Sequence, residues 1–336
     1  MKHKSIIILI IYFFVGLSVK AQDPQLTQYF ASPLFLSPSF AGSTTGTRAV
    51  LNFRDQWPAV PGSFITYLMS IDHNLYKYNS GVGLLFLRDQ AGSGHLSTTN
   101  FGFQYSYNIV INRKFSIRPG MYFYYSQRSI DFSRLVFNDQ VNLGDNNPSS
   151  VEIPTFKKTG FLDYTVSAIG FTRQYWGGFQ IAHLLKPNES LRQEGISELP
   201  TTYYLMGGGK MTLNGISNKI DKENLQFSFV YKSQQKYDQA DFGAYWYKRP
   251  LVVGLWYRGI PIFKHYDRGY ANNDALAIMV GYQDEDWKIG YSYDFTISRL
   301  AMKSAGAHEI SLIYEFNKNQ KITEKTKKVI IPCSKF

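Results

Sequence analysis

The sequence predicts an all-β protein, a transmembrane antiparallel β-barrel of about 14 strands with an irregular N-terminal arm and a short C-terminal tail. Three observations predict it. Segments near ten residues long alternate large apolar side chains with small or polar ones, and a strand sends successive side chains to opposite faces. The connections between segments tend to alternate short and long, as in outer-membrane barrels, which carry tight turns on one rim and longer loops on the other. No apolar run in the mature chain reaches the roughly 18 residues of a spanning helix. Any membrane form must then be a closed barrel, which satisfies every backbone group in lipid.

In chain order, residues 1–21 form an export signal. Lys2 and Lys4 precede an apolar stretch from Ile6 to Leu17, and Val19 and Ala21 supply small residues before the cut. Cleavage is expected after Ala21. The apolar stretch, about 12 residues, is short of the ~20 of a membrane anchor. Residues 22–46 hold three prolines and little alternation. They are expected to form an arm, either reaching into the periplasm or plugging the barrel.

Residues 47–316 are periodic and form the expected barrel. Strands are predicted at 48–56, 63–73, 80–89, 97–111, 115–128, 161–173, 176–184, 203–213, 224–235, 240–248, 251–259, 274–284, 287–298 and 308–316. An even number returns both barrel ends to one side. The longest loops are predicted near 129–160, 185–202 and 260–273. The eighth connection, long, and the ninth, short, break the alternation.

The stretch EDWKIGYSYDFTIS, Glu285 to Ser298, shows the facing pattern best. Trp287, Ile289, Tyr291, Tyr293, Phe295 and Ile297 share one parity, opposite Lys288, Gly290, Ser292 and Asp294. Large rings on one side and small or charged residues on the other fit lipid outside and water inside. The same parity sends Arg54, Asp72, Asp89, Arg118, Arg128, Lys232, Lys288, Asp294, Glu309 and Glu315 toward the lumen. They would either line a channel or form inward ion pairs that stiffen or plug a narrow barrel; the second is favoured. Trp57, Trp176, Trp246, Trp256 and Trp287 sit toward strand ends, where interfacial girdles collect aromatics. The parity of Trp256 points it to the lumen instead.

Aromatics reach 16%, with 25 Tyr and 25 Phe, an excess suited to strands and membrane interfaces. Formal net charge is +11. Much of the excess lies in the tail, residues 317–336, at Lys318, Lys321, Lys325, Lys327, Lys328 and Lys335. The rest is near balance and the chain is exported, so nucleic acid is not an expected partner. LMGGGKMTL, Leu205 to Leu213, lacks phosphate-loop spacing, and the histidines show no zinc-ligand spacing. Loop oxygens at 138–147 and 266–274 read as turn chemistry rather than a calcium site. No cofactor, metal or catalytic residue is expected. The single cysteine, Cys333, excludes an intrachain disulfide. With Val329, Ile330 and Ile331 it forms either a periplasmic docking segment or part of a mobile tail.

Several stretches together resemble the PorP/SprF family of the type IX secretion system of Bacteroidota. The start QDPQLTQYFASPLFLSPSFAGS carries Gln22, Asp23, Pro24, Gln25, Gln28, Pro33, Pro38, Ala41 and Gly42. LNFRDQWP carries Asn52, Arg54, Gln56, Trp57 and Pro58, and GVGLLFLRDQAGSG carries Gly81, Gly83, Asp89, Gly92 and Gly94. IDFSRLVFNDQ and GAHEISLIYEF also fit. The resemblance implies a non-enzymatic outer-membrane component of protein secretion and gliding motility that binds, positions or anchors an exported surface protein. It implies partners in outer-membrane lipid, cargo with a C-terminal sorting domain, and periplasmic peptidoglycan-linked or type IX components. A passive channel for small solutes and a lipid-modifying enzyme are the competing functions.

Overall fold

Antiparallel pairing gives each strand one apolar and one polar face, and closure into a ring removes the exposed edges that an open sheet would present. The structure, a computed structural model, describes residues 23–137, 158–192, 194–213, 223–260, 272–297 and 304–316. Its strands are β1 (Thr47–Gln56), β2 (Phe64–Leu75), β3 (Ser80–Ala91), β4 (Leu96–Tyr107), β5 (Ile109–Val110), β6 (Ser116–Ser129), β7 (Thr159–Phe171) and β8 (Tyr175–Ala182). They continue as β9 (Thr202–Thr212), β10 (Asn224–Gln234), β11 (Tyr237–Lys248), β12 (Leu251–Ile260), β13 (Asn272–Gln283), β14 (Trp287–Thr296) and β15 (Ala307–Phe316).

The ring closes where β1 pairs with β15, from Thr47↔Phe316 to Gln56↔Ala307. β4 and β5 are one stave. Both pair with β6 in a single register, through Ser106↔Gly120 and Ile109↔Ile117. Pro119 falls between these two stretches and has no N–H to give the ladder. The barrel therefore has fourteen staves plus this short extra strand, and every expected strand is present within about three residues at either end. Thr47 and Phe316 share one rim, here the terminal rim, with the tight turns after β2, β5, β7, β11 and β13. The opposite, long-loop rim carries the connections after β6, β8 and β12.

The outer surface is apolar around the ring. On β14, Ile289 and Tyr291 are 51% and 44% exposed, whereas Ser292 and Asp294 are 0% and 2% exposed. Leu51, Met69, Phe103, Leu205 and Leu255 continue the exposed band on other strands. Water would not tolerate an apolar patch that encircles the molecule. At the terminal rim Trp287 stacks on Tyr314 with ring centroids 4.1 Å apart. Trp176 departs from the expected girdle. Its parity with Gln180 and Ala182 turns it inward, where it is buried against Phe30 and Phe40. Trp256 is also buried inward.

Tyr291 lies near mid-strand on the lipid side. Tyr291→Arg is expected to cost about 2–4 kcal/mol, the penalty of an arginine at mid-depth. Barrel yield, measured as the heat-modifiable band on gels, should fall sharply; unchanged yield would contradict the lipid-facing assignment.

Candidate functional site

The interior of the barrel is occupied by residues 23–46. This arm has too little periodicity to pair as a strand, and its prolines start two short turns of helix, α1 (Pro33–Leu36) and a 3₁₀ turn (Pro38–Phe40). Pro suits these first helical positions because its missing N–H is not needed there. From Leu26 to Thr44 every residue but Phe35 is buried. The wall makes room for this chain with glycine. A Cβ on Gly81 would collide with the Ala41 carbonyl, one on Gly83 with Leu34, and one on Gly120 with the backbone of Ser39.

The arm runs from the terminal rim, where it joins β1, toward the long-loop rim, where Asp23 lies beside His183 just beyond β8. It makes three kinds of contact on the way. Near the terminal rim Asp72 accepts from the Gly42 N–H at 2.8 Å and pairs with Arg48 at 2.9 Å. Arg118 donates to the Ala41 carbonyl at 2.6 Å, and Gln104 donates to the Leu34 carbonyl at 2.8 Å. Midway, Phe30 lies among Trp176, Tyr245 and Trp256 with ring centroids 5.8–6.0 Å away. These edge-on and tilted geometries are the favoured ones for aromatic pairs.

Toward the long-loop rim the contacts are ionic. Arg54 reaches Asp294 at 2.8 Å and Glu309 at 3.2 Å. Arg258 reaches Asp294 at 3.3 Å and Asp241 at 3.4 Å. The arm is tied into this group: the Thr27 hydroxyl donates to Asp294 and its N–H to Glu309, each at 2.6 Å. Tyr29 donates to Asp241 at 2.6 Å; burial and that carboxylate push its phenol well above the ordinary value. Buried charges survive only when paired and hydrogen-bonded, and the arm supplies part of that pairing.

The remaining inward-parity charges are distributed as follows. Lys232 lies 3.4 Å from Asp23. Lys288 and Glu315 pair at 2.7 Å near the terminal rim. Asp89 accepts from Thr66 at 2.6 Å. Arg128 pairs with Glu189 of the loop after β8. Val329, Ile330, Ile331 and Cys333 lie outside the described residues, as does the signal segment. Sequence reasoning missed Arg48, Asp163 and Asp241, although each shares the inward parity of its strand; Arg258 shares the lumen-facing parity read for Trp256. It also missed Asp23, Thr27 and Tyr29, which carry no periodic signal.

Asp23 is held between two cations. Burial alone would raise its carboxyl, but Lys232 and His183 outweigh that and hold it far below the carboxylate range. Burial alone would likewise lower His183, but Asp23 and then Asp163 push it up to about 9. The stabilisation from His183 is fully present below its ordinary 6.5 and is lost as pH rises through about 9. That from Asp23 is present above its ordinary 3.8 and is lost as pH falls toward the depressed value. A spin label on Gln25→Cys should stay immobile at neutral pH and gain mobility above about pH 9. His183→Phe should remove that alkaline step.

Above Asp23, a cavity of about 300 Å³ opens at the long-loop rim. It is floored by Asp23, Arg54 and Asp294 and walled by Gln234, Arg258 and Asp274. Among the described residues no group of acidic, histidine or cysteine side chains is arranged to hold a metal ion.

Residues 18–314 match a family model described as type IX secretion system membrane protein PorP/SprF. No curated protein matches the chain. Among solved structures it is similar to a mutant of the Rh. blastica porin, at 8% identity over 81% of this chain and 99% of that one, with a TM-score of 0.34. It is also similar to the KdgM porin, at 10% identity over 80% of this chain and 99% of that one, again with a TM-score of 0.34.

Proposed function

Because the chain belongs to the PorP/SprF family of type IX secretion system membrane proteins, we propose that it is a non-enzymatic scaffold that binds and anchors an exported surface protein. It sits in the outer membrane with the long-loop rim outward and the terminal rim toward the periplasm, the usual sense of such barrels. The observation that carries this reading is the filled lumen. A buried arm, tied to the wall by hydrogen bonds on β1, β4, β6, β11, β14 and β15, occupies the lumen that a solute channel would need. Cargo is then held by the loops of 129–160 and 185–202, not passed through the ring. The arm is buried in this arrangement, so the basic tail after residue 316, with Val329–Cys333, is the segment left to engage peptidoglycan-linked or other type IX components.

The test is copurification from native membranes with identification of the bound proteins. A parent chain should retain an exported protein with a C-terminal sorting domain. A chain lacking 138–157 should assemble and lose that cargo, and one lacking 318–336 should keep the cargo and lose periplasmic partners. Retention of every partner by both truncations would refute the scaffold reading.

A further inference from the structure

The arm makes a single pass through the ring, and its contacts climb the wall in order. Asn74, beside the terminal end of β2, donates from its side chain to the Thr44 carbonyl at 2.8 Å. Ser106, near the terminal end of β4, donates to the Ala41 carbonyl at 2.7 Å. Further in, Ser39 meets Ser167 of β7 at 2.6 Å, and Ser32 donates to Asn52 of β1 at 2.6 Å. Gln28 donates to Ser292 at mid-β14 at 3.1 Å and accepts from Ser311 of β15 at 2.6 Å. Thr27 reaches Asp294, close to the long-loop end of β14. Asp23 then meets three long-loop ends together: His183 just after β8 at 3.3 Å, Thr202 at the start of β9 at 3.4 Å, and Lys232 near the end of β10 at 3.4 Å.

This course separates the two ends of the chain. Consecutive Cα atoms are about 3.8 Å apart, so whatever precedes Asp23 starts from the long-loop mouth. Phe316, the last residue of β15, lies at the terminal rim. The single pass is held from opposite arcs of the ring and is buried from Leu26 to Thr44 except at Phe35. A second, returning stretch of chain would have to displace it. The arm can therefore be threaded by a free end, or enclosed as the ring closes, but it cannot enter as a loop whose upstream end is still held on the terminal side.

We propose that Gln22, the first residue after the export-signal cut, emerges at the long-loop mouth. The processed chain then presents its N-terminus beside the long loops and its basic tail on the other side of the membrane. That end forms part of the surface which an exported polypeptide meets. Removal of the signal precedes seating of the arm. With residues 1–21 attached, the apolar stretch from Ile6 to Leu17 would have to come to rest in water beyond the long-loop rim. Only the sense of the barrel in the membrane is taken from the proposed function. That the N-terminus shares a side with the long loops is independent of it.

The experiment uses cells carrying the full-length chain with one epitope on a Gly/Ser spacer. The epitope is placed between Gln22 and Asp23, within residues 138–157, or between Asn112 and Arg113 in the turn after β5. The first two should bind antibody on intact cells, and the third only after permeabilisation. An N-terminal epitope that is hidden along with the turn epitope overturns the proposal. A hidden loop epitope with an exposed turn epitope would instead reverse the sense of the barrel and refute that part of the proposed function. The N-terminal epitope must then be hidden with the loop, and exposure with the turn would overturn the inference. If the N-terminal insertion blocks assembly, Gln25→Cys in a Cys333→Ser background takes its place, since Gln25 is half-buried at the mouth cavity. A small membrane-impermeant thiol reagent should modify it on intact cells whose loop epitope is exposed; no modification from outside overturns the proposal. Ala21→Phe removes the small residue before the cut and retains the signal. It should abolish that modification, and undiminished modification of the unprocessed chain would overturn the requirement for processing.

Discussion

Arg54→Met should lower the stability of the barrel by about 3–5 kcal/mol, the range for removing one partner of a buried ion pair. The guanidinium is 2% exposed and bridges β14 to β15 from β1, across the closing seam of the ring. Its removal leaves Glu309, 0% exposed, with only the Thr27 and Gln28 N–H groups of the arm, and leaves Asp294 to Arg258 and the Thr27 hydroxyl. Thr27 would lose a partner as well, since Arg54 donates to its hydroxyl at 2.7 Å. The seam and the arm should therefore weaken together. Thermal unfolding in detergent would read the loss. Arg54→Met combined with Glu309→Gln should recover part of it, because the second change removes the stranded charge; the double-mutant cycle isolates that coupling. A single variant within about 0.5 kcal/mol of the parent would mean that water, not the arginine, neutralises the two acids.

That Arg54 lies inside was readable from alternation alone, because a period of two assigns every strand residue to a face once one residue is assigned. The same rule would have found Arg48, two residues before Val50. Strand number and ends were legible for a related reason: fourteen segments repeat one pattern, and turn residues punctuate them. The arm was not legible. Its contacts are irregular, and nothing in QDPQLTQYFASP states that Phe30 meets three rings from β8, β11 and β12. A faint trace existed on the wall side. Gly81 and Gly83 interrupt an otherwise apolar strand, and glycine inside a strand marks a close approach of another backbone. Trp176 misled for the converse reason. Position near a strand end suits an interfacial aromatic, but facing depends on parity, and its neighbours Gln180 and Ala182 share the inward side.

Phe30→Ala should separate a plug from a fixed core. The ring is 3% exposed and packs against Trp176, Tyr245 and Trp256. Truncating a buried Phe costs about 3–5 kcal/mol, and here the cost falls on docking of the arm. The polar ties on either side, Thr27 to Asp294 and Ser39 to Ser167, do not fill the space it leaves. In planar bilayers the parent should be nearly silent, because the lumen is filled. Phe30→Ala should open intermittently as the arm loosens, with current rising further above about pH 9, where the His183 contact fails. Steady conductance by the parent would remove the closed-lumen premise and favour the solute channel. A silent variant of lowered thermal stability would place the arm among the permanent core elements. Anchoring at the long-loop rim requires only that the ring be rigid and shut, so it survives that second outcome and fails with the first.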